Sequence, residues 1–154
     1  MQLILWRHAE AEDANGKDDM ARELTKKGHR QAERMATWLK PRLGGDWRIL
    51  VSPSKRTLQT VAPLDKEFAV ENGVSTGASA QDVLEAAGWP NNSRDVVVVG
   101  HQPTLGEVAS MLLLGEEGDT PIRKGAIWWF EARASGGKMN AVLRAVLSPD
   151  LLDE

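Results

Sequence analysis

The chain of 154 residues contains no cysteine. This absence excludes disulfide bonds, thiolate metal sites and a cysteine nucleophile. It also fits a reducing compartment, since structural disulfides are typical of secreted proteins. The fold must then rest on its apolar core. Hydrophobic residues make up 42% of the chain, which is enough for one packed domain over residues 1–154.

Long apolar runs and an excess of basic residues are also missing. No stretch approaches the ~18 apolar residues of a membrane span, and the apolar run at residues 3–6 is too short for a signal peptide. The formal net charge is −3, whereas bulk binding to nucleic acid needs a broad basic surface. We therefore expect a soluble cytoplasmic protein that binds neither membranes nor nucleic acid.

The apolar patterns predict strands that alternate with helices. The strands are predicted at residues 3–6, 47–51, 95–100, 126–132 and 141–147, and the helices at residues 25–43, 52–63, 81–87 and 104–114. Such alternation predicts an α/β fold with three layers, α/β/α, around a mostly parallel sheet. Gly136-Gly137 indicates a hairpin between the last two strands, which makes the sheet mixed.

Capping signals indicate where the helices begin. Thr25 is a candidate cap for the first helix, and Ser52-Pro53 is expected to begin the second. Thr104 and Glu107 have the spacing of a capping box for the last helix. Residues 72–80 are rich in glycine and serine and are expected to lack regular structure.

Cationic and imidazole side chains follow three of the predicted strands. Arg7-His8 follows the first, Arg56 lies shortly after the second, and Gly100-His101 follows the valine-rich third. Ligands of open α/β sheets bind outside the carboxyl ends of the strands. We therefore expect these side chains to meet at one edge of the sheet.

Two arginines and two imidazoles at one edge are typical of a phosphate site. The planar guanidinium fork matches phosphate oxygens and keeps its charge, and a helix that begins after Ser52 would add backbone N–H donors. Phosphoryl transfer depends mainly on positioning and charge stabilisation. A neutral histidine can supply the nucleophile. The second imidazole, His101, is expected to need the opposite protonation state to hold the phosphoryl oxygens, so activity should fall at both extremes of pH.

Other phosphatase chemistries lack their residues. There is no clustered carboxylate and histidine set for two metal ions, no aspartate after the first strand, and no glycine-rich loop ending in Lys-Ser or Lys-Thr. The imidazole is left as the candidate nucleophile, with no metal and no cofactor expected. A non-catalytic phosphate-binding module stays open as an alternative. His29 and the acidic pair Asp18-Asp19 are interpreted as solvated.

The combination of these motifs resembles the histidine phosphatase superfamily, which has the phosphoglycerate-mutase-like fold. The family's Arg-His-Gly corresponds to Arg7-His8-Ala9, and its Ser-Pro-x-x-Arg with a following Gln-Thr corresponds to residues 52–56 and Gln59-Thr60. Its late Gly-His corresponds to Gly100-His101. The similarity runs from the start of the chain to about residue 114.

Within the superfamily, the short length and the segment 22–28 look like the SixA-type phosphohistidine phosphatases. This resemblance implies that His8 accepts the phosphoryl group, that Arg7, Arg56 and His101 clamp its oxygens, and that Arg22 also faces the phosphate. The implied substrate is a phosphorylated protein, such as a histidine-phosphotransfer domain. A phosphorylated small molecule, handled by a phosphomonoesterase of the same superfamily, is the alternative.

The chain departs from the family pattern in two places. Ala9 replaces the usual glycine and has less backbone freedom. Larger members carry a general acid on a helical insertion, and residues 70–94 are too short for that insertion, so we expect a minimal fold without a helical cap. Glu10, Asp13 and Asp82 are candidate acids that the sequence does not distinguish.

Overall fold

The structure is a computed structural model that describes residues 1–152. Its strands are β1 (Gln2–Arg7), β2 (Trp47–Val51), β3 (Ala69–Val70), β4 (Asp95–Gly100), β5 (Ile127–Ser135) and β6 (Lys138–Leu147). Its α-helices are α1 (Lys26–Leu39), α2 (Lys55–Val61), α3 (Ala80–Ala87) and α4 (Thr104–Leu114).

All six strands join one mixed sheet in the order β3-β2-β4-β1-β5-β6. The four strands β1 to β4 are parallel, while β5 is antiparallel to β1 and β6 is antiparallel to β5. Gly136 and Gly137, both with positive φ, turn the chain between β5 and β6. The predicted mostly parallel mixed sheet and its terminal hairpin are confirmed.

Two apolar cores lie on opposite faces of the sheet, because successive strand residues point to opposite sides. In β4, Val96 and Val98 pack with α3 and α4, whereas Val97 and Val99 pack with α1 and α2. All four valines are fully buried, as expected of a parallel strand covered on both faces. The three-layer α/β/α architecture is confirmed.

The predicted caps of α2 and α4 are wrong. Helix α2 is capped by Ser54, two residues later than expected, because Ser52 turns its hydroxyl toward His101 instead. At α4 the N-cap is Pro103, and the Thr104 hydroxyl donates to the carbonyl of Ala78. The capping box therefore does not form there.

Other boundaries also differ from the sequence prediction. Helix α1 ends at Leu39 and tightens into the 3-10 turn Lys40–Arg42, which contains Pro41. In the segment expected to be irregular, the turn Asn72–Val74 and the cap of α3 supply local hydrogen bonds. Just before it lies the two-residue strand β3, which was too short to give a pattern.

Between β2 and β4 the chain carries α2, β3 and α3 without a helical insertion in the part that the structure describes. The minimal form of the fold is thus confirmed. None of the helices formed by residues 1–152 is long and apolar enough to cross a membrane.

Candidate active site

The carboxyl ends of β1, β2 and β4 converge, and they bring the predicted site residues together. Arg7 is the register partner of Gly100, and Val51 that of Val99. The chain continues from these ends into His8, Ser52 and His101. A cavity of about 200 Å³ lies at this edge. Its lining residues are Arg7, His8, Ala11, Arg22, Arg56, Thr76, Gly77, His101, Gln102 and Lys124.

The His8 ring is held in one tautomer by the backbone. His8 Nδ1 lies 2.7 Å from the carbonyl oxygen of Ala9. A carbonyl oxygen can only accept, so Nδ1 carries the proton and donates it. The ring nitrogen Nε2 therefore keeps its lone pair. The backbone of His8 is itself fixed, since its N–H donates to Gly100 and its carbonyl accepts from Gly125.

Thr60 ties the residue after His8 to helix α2. Its hydroxyl donates to the carbonyl of Arg56 and accepts from the backbone N–H of Ala9, at 2.7 and 3.0 Å. Ala9 is fully buried against Leu24 and Ala32, and its φ is not positive. Alanine in place of the family's glycine is therefore accommodated without backbone strain.

Arg56 projects from α2 into the site with a side chain only 4% exposed. Its Nη1 donates to the backbone carbonyl of Asp19 at 2.8 Å, and its Nη2 contacts the Asp19 carboxylate at 3.1 Å. Its Nε is buried and has no hydrogen-bond partner within the described chain. A buried N–H without a partner is costly, so this atom is ready for an incoming acceptor.

Arg7 and Arg22 complete the cationic lining. Arg7 Nη1 donates to the carbonyl of Ile122 at 2.7 Å, and its Nε is a second buried donor that the described residues leave unpaired. Arg22 Nε donates to the carbonyl of Glu12 at 2.7 Å, and its Nη1 lies 3.2 Å from the Asp19 carboxylate. The cavity thus presents three fixed guanidinium groups.

His101 is oriented by a buried serine. Its Nε2 lies 2.7 Å from the hydroxyl oxygen of Ser52, which is fully buried. Its Nδ1 lies 3.4 Å from Arg56 Nη2, which can only donate. Nδ1 is therefore the acceptor, and the proton sits on Nε2, where it is donated to Ser52. The two imidazole rings are 5.4 Å apart, centroid to centroid.

Both imidazoles are kept neutral in the cavity. Burial lowers the pKa of His8 to about 4, opposed by its hydrogen bond to Ala9 and reinforced by the charges of Arg56, Arg7 and Arg22. Burial, followed by the charge of Arg56, lowers the pKa of His101 to about 3. At neutral pH the His8 ring is thus neutral and carries no proton on Nε2.

The candidate acids of the sequence lie away from the cavity. Glu10 accepts a hydrogen bond from Thr25, Asp82 caps α3, and Asp13 is exposed on the loop. Within residues 1–152, the cavity lining includes no carboxylate. His29 is exposed, as predicted.

The interpretation of Asp19 as a merely solvated charge is wrong. Its carboxylate is half-exposed, but it pairs with both Arg22 and Arg56. The one signal in the sequence is its position three residues before Arg22, a spacing at which side chains on a helical turn can meet. The cavity also includes Lys124, which sequence reasoning did not select.

Other features of the described surface do not compete with this site. Larger grooves, including one of about 650 Å³ along α1, contain no histidine. No group of three or more histidine and carboxylate side chains within residues 1–152 is arranged to hold a metal ion.

A family model described as the histidine phosphatase superfamily, branch 1, matches residues 3–78. No curated protein matches the sequence significantly. Among solved structures, a protein histidine phosphatase SixA complexed with tungstate is 25% identical, with a TM-score of 0.74 over 97% of this chain and 98% of that one.

Two further structures show the same fold. A protein assigned as phosphohistidine phosphatase SixA from Nakamurella multipartitia is 24% identical, with a TM-score of 0.76 over 96% of this chain and 95% of that one. A phosphoserine phosphatase mutant from Entamoeba histolytica, in complex with phosphoserine, is 24% identical, with a TM-score of 0.72 over 98% of this chain and 99% of that one. The motifs at the strand ends, the family model over residues 3–78 and this shared fold all match the histidine phosphatase superfamily.

Proposed function

We propose that the chain is a phosphatase that hydrolyses phosphohistidine in proteins and that His8 Nε2 carries the phosphoryl group from the substrate to water. The observation that carries the proposal is the hydrogen bond from His8 Nδ1 to the Ala9 carbonyl, 2.7 Å long. It leaves the lone pair on Nε2, in a cavity lined by Arg7, Arg22 and Arg56. Nucleophile and anion clamp are thus assembled in one place.

In the first step, His8 Nε2 bonds to the phosphorus atom while the P–N bond of the substrate breaks. The substrate ring carries a proton on its other nitrogen, so it leaves as a neutral imidazole. Phosphorylated His8 keeps its own proton on Nδ1, held by the Ala9 carbonyl. In the second step, water bonds to phosphorus, the bond to Nε2 breaks, and neutral His8 and dihydrogen phosphate are released.

The arginines stabilise the transferring group, and His101 supports one of them by accepting from Arg56 Nη2. The buried Nε atoms of Arg7 and Arg56 lack partners in the described chain and are donors for the phosphoryl oxygens. Such preorganised donors stabilise the charge of the transition state without reorganisation. Charge stabilisation is what phosphoryl transfer chiefly requires.

Phosphohistidine is favoured over alkyl phosphates because neither step above needs an external acid. An alkoxide leaving group gains typically ~10²–10⁴-fold from a positioned acid, and the lining residues within 1–152 include no carboxylate. The likeness to a protein histidine phosphatase with bound tungstate supports this choice, since tungstate, like phosphate, is a tetrahedral oxyanion.

The size of the cavity favours a protein substrate. About 200 Å³ accommodates a phosphoryl group and the ring that bears it, at the small end of ligand pockets. The rest of the substrate would lie outside, against the open edge of the sheet. A histidine-phosphotransfer domain has this chemistry.

A second candidate function is hydrolysis of a small phosphomonoester. It is favoured by the likeness to the phosphoserine phosphatase of Entamoeba histolytica. A substrate panel distinguishes the two. We expect phosphohistidine peptides to exceed phosphoserine and sugar phosphates by at least ~10²-fold in kcat/KM. A preference for phosphoserine would support the second function instead.

The intermediate is tested by rapid quench. Acid-labile, base-stable phosphate should appear on His8 during turnover, and His8→Ala should abolish both turnover and labelling. His29→Ala, which changes the exposed histidine, is the matched control and should behave like the wild type. Phosphate binding without turnover in the wild-type protein would identify a non-catalytic binding module.

Neither step of the proposed mechanism uses a metal ion. We therefore expect kcat/KM to be unchanged after treatment with a chelator. Activity that collapses in chelator and returns with a divalent ion would contradict the proposed mechanism.

A further inference from the structure

The 3-10 turn Asp19–Ala21 delivers a carboxylate to two of the arginines. The turn is fixed from its start, because the Asp18 side chain accepts from the backbone N–H of Met20 at 3.1 Å. Asp19 is thereby oriented by the backbone and not only by its charge partners.

Asp19 joins an arginine from the loop to an arginine from the helix. Its Oδ1 lies 3.2 Å from Arg22 Nη1, and its Oδ2 lies 3.1 Å from Arg56 Nη2. Its backbone carbonyl also accepts from Arg56 Nη1 at 2.8 Å. Arg22 is braced on its other side by the carbonyl of Glu12, 2.7 Å from Nε.

These contacts occupy both terminal nitrogens of the Arg56 guanidinium and leave Nε for a ligand. Nη1 and Nη2 donate to Asp19, and Nη2 also lies 3.4 Å from His101 Nδ1. Nε is buried without a partner among the described residues. Hydrogen bonds from a guanidinium to an oxyanion are charge-assisted and strong, so Asp19 does not block the donor that a phosphoryl oxygen needs.

The carboxylate lies beside the cavity without forming its wall. Arg22 and Arg56 line the cavity, whereas Asp19 is absent from the lining within residues 1–152. Partial burial raises the pKa of the Asp19 carboxyl, but hydrogen bonds from Arg22 and Arg56 outweigh it and hold the pKa below its usual range. Asp19 stays ionised and balances part of the charge of the arginine cluster.

We propose that Asp19 is a positioning residue for phosphoryl transfer, which binds Arg22 and Arg56 into one clamp and presents their free N–H groups to the phosphoryl oxygens. The inference rests on the proposed function, because it assigns Asp19 a role at the same site. Without the carboxylate, Arg22 keeps a single anchor on the loop, and the two guanidinium groups repel each other.

The test compares Asp19→Asn, Asp19→Glu and the control Asp13→Asn. Asparagine keeps the size of the side chain but removes its charge, glutamate restores the charge, and Asp13 is an exposed acid of the same loop. Isothermal titration with inorganic phosphate and turnover of a phosphohistidine peptide are measured for each. We expect Asp19→Asn to weaken phosphate binding and kcat/KM by about tenfold or more, since hydrogen bonds to charged groups are lost. Asp19→Glu should recover part of this loss, and Asp13→Asn should match the wild type.

A double-mutant comparison separates positioning from a general structural effect. If Asp19 acts through Arg22, Asp19→Asn should cost much less in an Arg22→Ala background than in the wild type. Equal costs in both backgrounds, or a loss of activity that follows only a lower melting temperature, would overturn the inference.

Phosphate titration keeps this test independent of the substrate. Failure of the wild type to hydrolyse phosphohistidine would overturn the proposed function, while the phosphate affinities of the variants would still decide the role of Asp19. Tighter phosphate binding by Asp19→Asn would show that the Asp19 carboxylate competes with phosphate for the arginines. Unchanged binding would show that Asp19 does not position them. Either result would overturn the inference.

Discussion

At the scale of single residues, hydrogen bonds to different partners give the two buried histidines different tautomers. His8 donates from Nδ1 to a backbone carbonyl, whereas His101 donates from Nε2 to the Ser52 hydroxyl. His8 therefore keeps the lone pair on Nε2, and His101 turns Nδ1 toward Arg56. In the proposed mechanism, the partner of each ring, rather than its distance from the arginines, makes one ring the nucleophile and the other a support for Arg56.

Replacing Arg56 by lysine tests the need for a planar fork. Lysine keeps the charge but cannot contact Asp19 through two nitrogens and also present an Nε–H to the phosphate. We expect kcat/KM to fall by about 10²-fold, the typical effect of losing one preorganised donor. Steady-state kinetics on a phosphohistidine peptide provide the measurement.

The matched control is Arg30→Lys, which changes an exposed arginine of α1. Its kcat/KM should equal that of the wild type. Comparable activity of Arg56→Lys and Arg30→Lys would show that charge alone is sufficient at position 56.

The sequence predicted the residues that directly follow strands better than those that come from loops. Arg7, His8 and His101 could be placed because a strand end fixes the position of the next residue. Asp19 could not be placed, because its contact depends on how the loop between β1 and α1, residues 8–25, folds over α2. The neighbouring arginines predicted a lowered pKa of His8, but the size of the shift could not be predicted, since its largest cause is burial.

At the scale of elements, helix α2 connects the loops around the site. Gln59 accepts from the backbone N–H of Leu24, which anchors the loop that carries Arg22. Thr60 accepts from the backbone N–H of Ala9, which anchors the chain after His8. The Gln-Thr pair of the motif thus acts through the backbone and not on the substrate.

Thr60→Val should disturb the site from within α2. Valine has a similar shape but leaves the buried N–H of Ala9 without its acceptor, which costs about 1–3 kcal/mol in the free energy of unfolding. Because His8 precedes Ala9, we also expect kcat to fall between about 10- and 100-fold, as for a small misplacement of a reacting group. Urea unfolding and kinetics measure the two effects.

Thr37→Val is the control for Thr60→Val. The Thr37 hydroxyl also donates to the carbonyl four residues earlier, but it does so on the exposed side of α1 and has no second partner among residues 1–152. This variant should keep wild-type activity and stability within about 0.5 kcal/mol. If both variants behave alike, the bond between Thr60 and Ala9 does not hold the site.

Gly28→Ala should push helix α1 away from the segment that follows His8. A Cβ atom at Gly28 would lie 2.0 Å from the carbonyl oxygen of Glu10, a backbone atom. We expect a loss of about 2 kcal/mol or more in the free energy of unfolding and lower activity. Gly44→Ala is the control, since nothing lies within 4 Å of its added Cβ. A stable, fully active Gly28→Ala variant would show that this segment moves freely.

Helix and strand interiors followed from the sequence, but several caps did not. Strands β2 and β4 have the predicted ends because their apolar runs are buried and sharply bounded. The cap of α4 was misplaced because tertiary contacts redirect the local groups. Gln102 reaches forward to accept from the N–H of Gly106, which leaves Thr104 free to bond to another loop.

At the scale of the whole molecule, the buried imidazoles link stability to pH. An unfolded histidine titrates near ~6.5, whereas the folded protein holds the pKa of His8 at about 4 and that of His101 at about 3. Between pH 6.5 and 4 the unfolded chain therefore binds protons that the folded chain does not. The contribution of the two histidines to the free energy of unfolding is therefore complete above pH 6.5, and it decreases as the pH falls toward 4.

Each buried ring should contribute about 1.4 kcal/mol per pH unit to this slope. Over the whole window, the loss is on the order of 3 kcal/mol for each ring. Urea unfolding of the wild type at several pH values between 4 and 6.5 measures the combined effect.

His8→Gln and His101→Gln should each remove about half of the histidine contribution. His29→Gln changes the exposed ring and should leave the slope unchanged. If His29→Gln flattens the slope as much as His8→Gln does, burial does not keep the His8 and His101 rings neutral. His8 would then be protonated at mildly acidic pH.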